Sequence, residues 1–312
     1  MTMIDLLVIG DANPDVIIGP VAGPLEFGQR EQLASSGVLT LGGSGAIMAC
    51  GAARLGLTVA FVGRVGADES GRFVRDSLEA HGVDTSALIT DRELATPLTV
   101  VITRDDDRSI VTAPGTLSAT TTADVPRALL RSCRHVHAAS YFLMPALAAR
   151  LPALFAEVRS LGCTTSLDTN DDPAGRWQVP GMYSEVDFLL PNAAEAMHLA
   201  GADTVEAAAI ALAGHGPTVV VKNGAAGALS YDGRNLLSTK GIPVRAVDSV
   251  GAGDSFDAGF VAATLAGSTA QQALELAAIC GALSTRGIGG TTAQPTWSEA
   301  MATLHGMERI HD

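Results

Sequence analysis

Lysine is nearly absent from this 312-residue chain: Lys222 and Lys240 are the only two. Neither follows a glycine, so there is no G-x-x-x-x-G-K-[ST] phosphate loop. No G-x-S-x-G elbow occurs either, which argues against an α/β-hydrolase. Positive charge is short overall, 20 Lys and Arg against 33 Asp and Glu, for a net charge of -13 and a pI near 4.9. That balance disfavours nucleic acid or an anionic membrane as partner, and an anionic substrate would have to be held by local donors. Only four cysteines occur, Cys50, Cys133, Cys163 and Cys280, without C-x-x-C spacing, so neither a zinc site nor a disulfide framework is indicated. No apolar run reaches the length of a membrane span, and a strand-like segment from Ile4 leaves no room for a signal peptide. The expected location is the cytoplasm. Aromatic residues make up 4% of the chain, little surface for stacking a base.

Small residues and carboxylates are what the chain does have, and they concentrate in Asp248-Ser249-Val250-Gly251-Ala252-Gly253-Asp254-Ser255-Phe256-Asp257-Ala258-Gly259-Phe260. The segment reads as a loop turning into the N-terminus of a buried helix. Convergent backbone N–H groups and the helix dipole make such a turn an anion site, suited to phosphate. A carboxylate on the rim of a phosphate cradle is repelled, so Asp254 needs a reason to stand there. General-base work on a hydroxyl is one reason; capping of the helix by Asp248 or Asp254 is the other.

In chain order, the apolar run 6–9 ends at Gly10-Asp11-Ala12-Asn13-Pro14-Asp15, as a buried strand ends at a ligand site in an open α/β sheet. Asn13 and Asp15, two apart, would share a face. Segments 15–38 and 97–114 carry short β-rich pieces, the second around the polar turn Asp105-Asp106-Asp107, and together predict a small β-sheet lid. Leu41-Gly42-Gly43-Ser44-Gly45 opens a small-residue helix stopped by Gly56. It is not a dinucleotide fingerprint, because Met48 stands at the third glycine. Helices are predicted near 123–132, 146–160, 204–213, 254–266, 270–286 and 297–306, with strands near 59–63, 135–139, 164–168, 187–190 and 218–222. The alternation predicts one α/β domain over 1–312: a doubly wound, mostly parallel central sheet flanked by helices. His135 and His137 lack a third ligand and read as structural.

These motifs together resemble the ribokinase, or PfkB, family of carbohydrate and nucleoside kinases over nearly the whole length. Gly42 to Gly56 resembles its first signature, Asp248 to Phe260 its second, and Asn192-Ala193-Ala194-Glu195 its N-x-x-E magnesium motif. The resemblance implies a ribokinase-like fold and an ATP-dependent phosphoryl transfer to a sugar hydroxyl. It implies Asp254 as the base and Gly251, Ala252 and Gly253 as the anion hole. It implies sugar contacts from Asn13, Asp15, Gly42, Gly43 and Ser44, and ATP contacts from Lys222, Gly224 and Gly227, with the lysine beside the phosphates. It implies Mg²⁺ at Asn192 and Glu195, and a monovalent cation, K⁺, at Asp248 and the Val250 carbonyl.

Two positions depart from the family pattern: Ile47 stands where many members have Asn, and Ser44 where ribokinases have Lys. A ribose-specific pocket is therefore not expected. The expected substrate is a small-molecule sugar or sugar acid, fructose- or 2-keto-3-deoxygluconate-like, with Arg108, Arg134, Arg176 and Tyr141 as candidates for holding an acid or a base. A nucleoside kinase and a non-catalytic sugar or nucleotide sensor are the alternatives. The lid strands, with no helices to cover them, predict a homodimer.

Overall fold

The computed structural model describes residues 3–104 and 107–311, the last five without their side chains. Its strands are β1 (Ile4–Ile9), β2 (Asn13–Val21), β3 (Ala34–Gly42), β4 (Val59–Gly66), β5 (Leu88–Asp91), β6 (Leu98–Arg104), β7 (Asp107–Ala113), β8 (Cys133–Ala138), β9 (Thr164–Leu167), β10 (Phe188–Leu189), β11 (Thr218–Lys222), β12 (Ala228–Tyr231) and β13 (Leu236–Thr239). Nine form one sheet in the order β13-β12-β11-β10-β9-β8-β1-β4-β5, parallel from β11 to β5, with β12 and β13 an antiparallel edge.

Strand β1 shows why the sheet is central. Leu6 and Val8 pack into one hydrophobic cluster, Leu7 and Ile9 into another on the opposite face, so alternate residues feed two cores. Helices Ser44–Arg54, Ala252–Leu265 and Ala270–Ser284 cover the first face. Leu151–Ser160 and Val205–Ala213 cover the second. After β1 the chain winds to β4 and β5 on one side and to β8 through β11 on the other. The crevice between β1 and β8 is thus the switch point at which open α/β sheets bind ligands.

Strands β2, β3, β6 and β7 form a separate sheet in the order β3-β2-β6-β7. It begins at Asn13 and runs to Gly42, wider than the 15–38 boundary, because β2 follows almost directly from the end of β1. Asp105 and Asp106 of the expected polar turn lie outside the described residues. Leu39, Ile110 and Val111 of this sheet are exposed.

Two expected helices are shorter than the pattern suggests. Within 123–132 only Arg127–Leu130 is α-helical, because Pro126 interrupts the segment after a capped single turn at Thr122–Asp124. The 146–160 helix is split into Pro145–Ala148 and Leu151–Ser160, the second restarting with a proline in its first turn. Sequence reading also missed helix Glu69–Ala80, strand β5 and the β12–β13 hairpin. Among the described residues no helix is long and apolar enough to cross a membrane.

Candidate active site

The Asp248 to Gly253 loop is held by its first carboxylate, which accepts the Val250 amide at 3.0 Å and the Gly289 amide at 2.9 Å. Gly251 then turns the chain with φ +72°, and a Cβ there would lie 2.6 Å from the Gly290 Cα, so both conformation and packing require glycine. Helix Ala252–Leu265 follows without any side-chain cap, leaving its first-turn donors for a ligand. Gly253 differs from Gly251. The nearest atoms to a Cβ there are those of the Lys222 side chain, at 3.6 Å, an ordinary contact, and Gly253 lines the cleft described below.

Asp254, in the first turn, is buried and accepts the Ser44 hydroxyl at 2.5 Å. It takes no backbone amide among the described residues, so it does not cap the helix; Asp248 is the carboxylate that binds the loop. Burial, then the charge of Asp168, pushes the Asp254 carboxyl up to about 7. Ser44 opens helix Ser44–Arg54, whose amides at Ser44 and Gly45 donate to the buried Asp11 carboxylate at 3.2 and 2.9 Å. Two helix N-termini therefore converge on the end of β1. Ile47 packs between Gly251 and Gly290, where a built Cβ on either glycine would clash with it, so it supports the cradle from behind.

Asn13 and Asp15 share one face of β2, as their spacing predicts. The Asn13 amide donates to Asp15 Oδ1 at 2.7 Å and to the Thr99 hydroxyl at 3.1 Å. Burial, then repulsion from Asp11, pushes the Asp15 carboxyl up to about 7. A Cβ on Gly42 would fall 2.0 Å from Asp15 Oδ1, and Gly43 sits at φ +88° with Ala12 and Asp11 backbone against it. Gly42, Gly43 and Ser44 thus form the floor on which Asn13 and Asp15 stand. From the lid, Arg108 Nη1 donates to the Ser249 hydroxyl at 3.2 Å, linking β7 to the loop before the cradle.

On the other side of the cradle lies a cleft of about 540 Å³ lined by Lys222, Gly224, Gly227, Ile242, Val244 and Phe256, among others. Gly224 has φ +56°, and a Cβ on Gly227 would strike the Thr239 carbonyl at 2.0 Å, so both glycines shape the wall through backbone. Lys222 borders the cleft, but its ammonium donates to Asp168 at 2.6 Å and to Asp257 at 3.1 Å. The resemblance did not indicate this ion pair. Asn192 and Glu195 cap helix Ala193–Ala200 reciprocally, the Glu195 carboxylate accepting the Asn192 amide at 2.8 Å. Burial, then the charge of Asp168, pushes Glu195 up to about 7.

The structure also separates the arginines. Arg134 pairs with Asp5 at the far end of the sheet, where β1 and β8 begin. Arg176 and Tyr141 line a hollow of about 250 Å³ with Phe142 and Asp172. His135 and His137 are buried, each bonded to the Ser166 hydroxyl at 2.7 and 2.8 Å, and burial pushes both rings down to about 3 and about 4. Asp168 and Asp257 lie beside the candidate site and motif reading gives them no role, whereas Asp11 falls within the polar strand end 11–15. The signal available was that each carboxylate ends a strand or shares a helix face with Asp254.

The pfkB family carbohydrate kinase profile matches residues 3–297. The 2-dehydro-3-deoxygluconokinase of Bacillus subtilis is 29% identical over 289 residues, covering 87% of this chain and 88% of that protein. The nucleoside kinase of Methanothermobacter thermautotrophicus is 33% identical over 230 residues, 72% of each chain. Among solved structures, the Arabidopsis thaliana ribokinase complexed with ribose and ATP superposes with a TM-score of 0.83 at 25% identity, over 97% of this chain and 99% of that one. The fold, the match over nearly the full length and the glycine–aspartate helix start together show that the chain belongs to the pfkB family of carbohydrate kinases, phosphotransferases that act on an alcohol group.

Proposed function

We propose that this protein transfers the γ-phosphoryl group of ATP to a hydroxyl of a sugar or sugar acid bound between the lid and Asp254. The observation that carries the reading is Asp254 itself, a buried carboxylate set between an uncapped helix N-terminus and the Asn13–Asp15 pocket. With its carboxyl near 7, Asp254 accepts the hydroxyl proton at neutral pH. The Gly251 to Gly253 amides then face the charge that builds on the phosphoryl oxygens. The apolar cleft beside Lys222, Gly224 and Gly227 suits the nucleotide, and the ATP of the Arabidopsis structure supports that assignment.

No three His, Cys, Asp or Glu side chains among the described residues converge as a metal cage. Asn192 and Glu195 are the residues that would hold Mg²⁺, through its waters, beside the nucleotide phosphates. The ion would supply positive charge to the phosphates, and it would favour the ionised form of Glu195, which burial and then the charge of Asp168 raise. K⁺ at Asp248 and the Val250 carbonyl is part of the proposal, although both Asp248 oxygens already hold amides.

Arg108 favours an acidic sugar, since it is the cation of the lid that reaches the mouth of the pocket and it lowers the Asp15 carboxyl against burial. The B. subtilis relative supports this choice. A nucleoside substrate is the second reading: Tyr141 and Phe142 line a hollow that would take a base. An ADP-release screen over hexoses, pentoses, 2-keto-3-deoxy sugar acids and nucleosides decides between them. Turnover of nucleosides alone would overturn the sugar reading, and turnover of nothing would favour a sensor. The exposed Leu39, Ile110 and Val111 on the lid support a homodimer, which light scattering at micromolar concentration tests. Four buried, unpaired cysteines suit the cytoplasm.

A further inference from the structure

The ammonium of Lys222 is engaged before any ligand arrives. Lys222 ends β11, Asp168 follows β9, and Asp257 lies one turn after Asp254 on helix Ala252–Leu265, so three elements meet at one nitrogen. That nitrogen donates to Asp168 Oδ2 at 2.6 Å and to the two Asp257 oxygens at 3.1 and 3.2 Å. An ammonium has three N–H donors, and three carboxyl oxygens surround it here. Charge points the same way. Burial works to raise Asp168, but the charge of Lys222 and hydrogen bonds hold it below its usual range. With Asp168 ionised, the cluster carries no net positive charge, whether or not Asp257 holds a proton. It has no cation to spare for a phosphate.

The same bonds tie down the helix that carries the cradle. Its start has no side-chain cap, so its orientation depends on contacts further along. Two polar ties follow: Gln294 Nε2 donates to Ser255 Oγ at 3.0 Å, and Lys222 donates to Asp257. Residues two apart lie on different faces of a helix, so the ties act from different sides. Lys222 is a firm post for the second. Its backbone amide donates to the Pro191 carbonyl at 3.0 Å, its side chain is only 10% exposed, and its Cδ and Nζ lie 3.6 Å from where a Gly253 Cβ would stand. The side chain therefore spans Gly253 to Asp257, with Asp254 between them. We propose that Lys222 is a positioning residue rather than a phosphate ligand: through Asp257 it fixes the rotation of helix Ala252–Leu265, and thereby where Asp254 and the Gly251 to Gly253 amides stand. The proposal rests on the reading of this site as a kinase active site.

Turnover and Mg·ADP binding, measured on wild type, Asp257→Ala, Asp257→Asn and Lys222→Met, test it. Turnover uses ATP with 2-keto-3-deoxygluconate, or with whichever sugar the ADP-release screen turns over fastest, on the alkaline plateau where Asp254 is ionised. Binding is read by titration calorimetry. Asp257→Ala cuts the tie but leaves Lys222 paired with Asp168, so no buried charge is stranded. It should lower kcat about tenfold or more and leave the Mg·ADP Kd within about threefold of wild type. Asp257→Asn, whose amide oxygen still accepts from the ammonium, should recover most of the lost kcat. Lys222→Met should lower kcat as Asp257→Ala does, again with Kd within about threefold. A Kd about tenfold weaker in Lys222→Met, or a tighter one in Asp257→Ala with kcat unchanged, would make Lys222 a phosphate ligand and overturns the proposal. So does a melting temperature that falls in Asp257→Ala while kcat holds, the mark of a purely structural pair, or an asparagine variant as slow as the alanine one. Should Lys222→Met not fold, because it strands Asp168, the two Asp257 variants decide alone by the same outcomes. Wild type that turns over nothing in the screen removes the kinase reading itself, which sets that failure apart from a loss confined to the variants.

Discussion

The proposed sugar wall of the cleft is built from side chains, and the proposed nucleotide wall from backbone. Asn13, Asp15 and Asp11 present buried polar groups, with Asn13 bonded to Asp15 and Asp11 to the backbone amide of the half-buried Ser44. Across Asp254, Gly224, Gly227 and Gly253 present main chain, and Ile242, Val244 and Phe256 line the same cleft. The difference follows from what each wall must recognise. A hydroxylated ligand is distinguished by donors and acceptors at fixed points. A polyphosphate is held by many equivalent N–H groups and a dipole, which need close approach more than side-chain identity. Substitutions on one wall should therefore change chemistry and selectivity, and on the other shape and affinity.

The largest effect is expected where the walls meet. Asp254→Asn should lower kcat about 10²-fold or more, with nucleotide affinity and melting temperature little changed, because the amide cannot accept the proton. The wild-type rate should rise with pH to a plateau above about 7, as the raised carboxyl ionises. A variant within about threefold of wild type would refute the base assignment.

The two cradle glycines sharpen the contrast within the backbone wall. Gly253→Ala has room in the folded chain and adds a good helix former, so its melting temperature should hold or rise. Its methyl would nonetheless occupy the cradle and should lower kcat/KM for ATP about tenfold or more. Gly251→Ala should instead lower the melting temperature, since it combines positive φ with a clash against Gly290. Equal melting losses in both variants would mean that the space at Gly253 belongs to packing.

How legible the site was in the sequence follows the same division. The glycines, Asp254, Asn13 and Asp15 could be found because motif spacing places them on one turn or one strand face. The central sheet was legible because runs such as 6–9 are apolar on both faces. The Lys222–Asp168–Asp257 cluster was not, since its members lie 54 and 35 positions apart and meet only when β9, β11 and the signature helix pack together. Nor was the Arg108–Ser249 contact, which spans 141 positions and depends on how the lid folds over. Helix ends failed at Pro126 and Pro152, where local chain stiffness outweighed the apolar periodicity.

Two smaller effects test the side-chain wall and its metal. Arg108→Gln should raise KM for a sugar-acid substrate about tenfold and leave a neutral sugar nearly unchanged, as expected for loss of one charge-assisted contact at an exposed position. Equal effects on both substrates would make Arg108 a lid tether. Glu195→Gln should raise the magnesium requirement and lower kcat severalfold. Its melting temperature should hold, because glutamine still completes the capping box with Asn192.

The smallest expected effect is on stability, and it sets the sugar wall apart from the rest of the protein. Asp15, Asp254 and Glu195 are each raised to about 7 in the folded chain, from ordinary values of 3.8, 3.8 and 4.5. A carboxyl raised on folding favours the native state while it is protonated. Its contribution is complete below the ordinary carboxylate range and is lost as pH rises through about 7. The ligand-free protein should therefore melt lower at about pH 8 than at about pH 5.5, against the usual acid loss from carboxylates such as Asp68, which hydrogen bonds hold down. Each kcal/mol is worth roughly 2–4 °C in a chain of this size. Asp15→Asn removes one of the three raised groups and should flatten that slope, while its amide can still pair with Asn13. A melting profile whose slope is the same in wild type and Asp15→Asn would show that the wall is already neutralised, by solvent or by a bound cation, in the free protein.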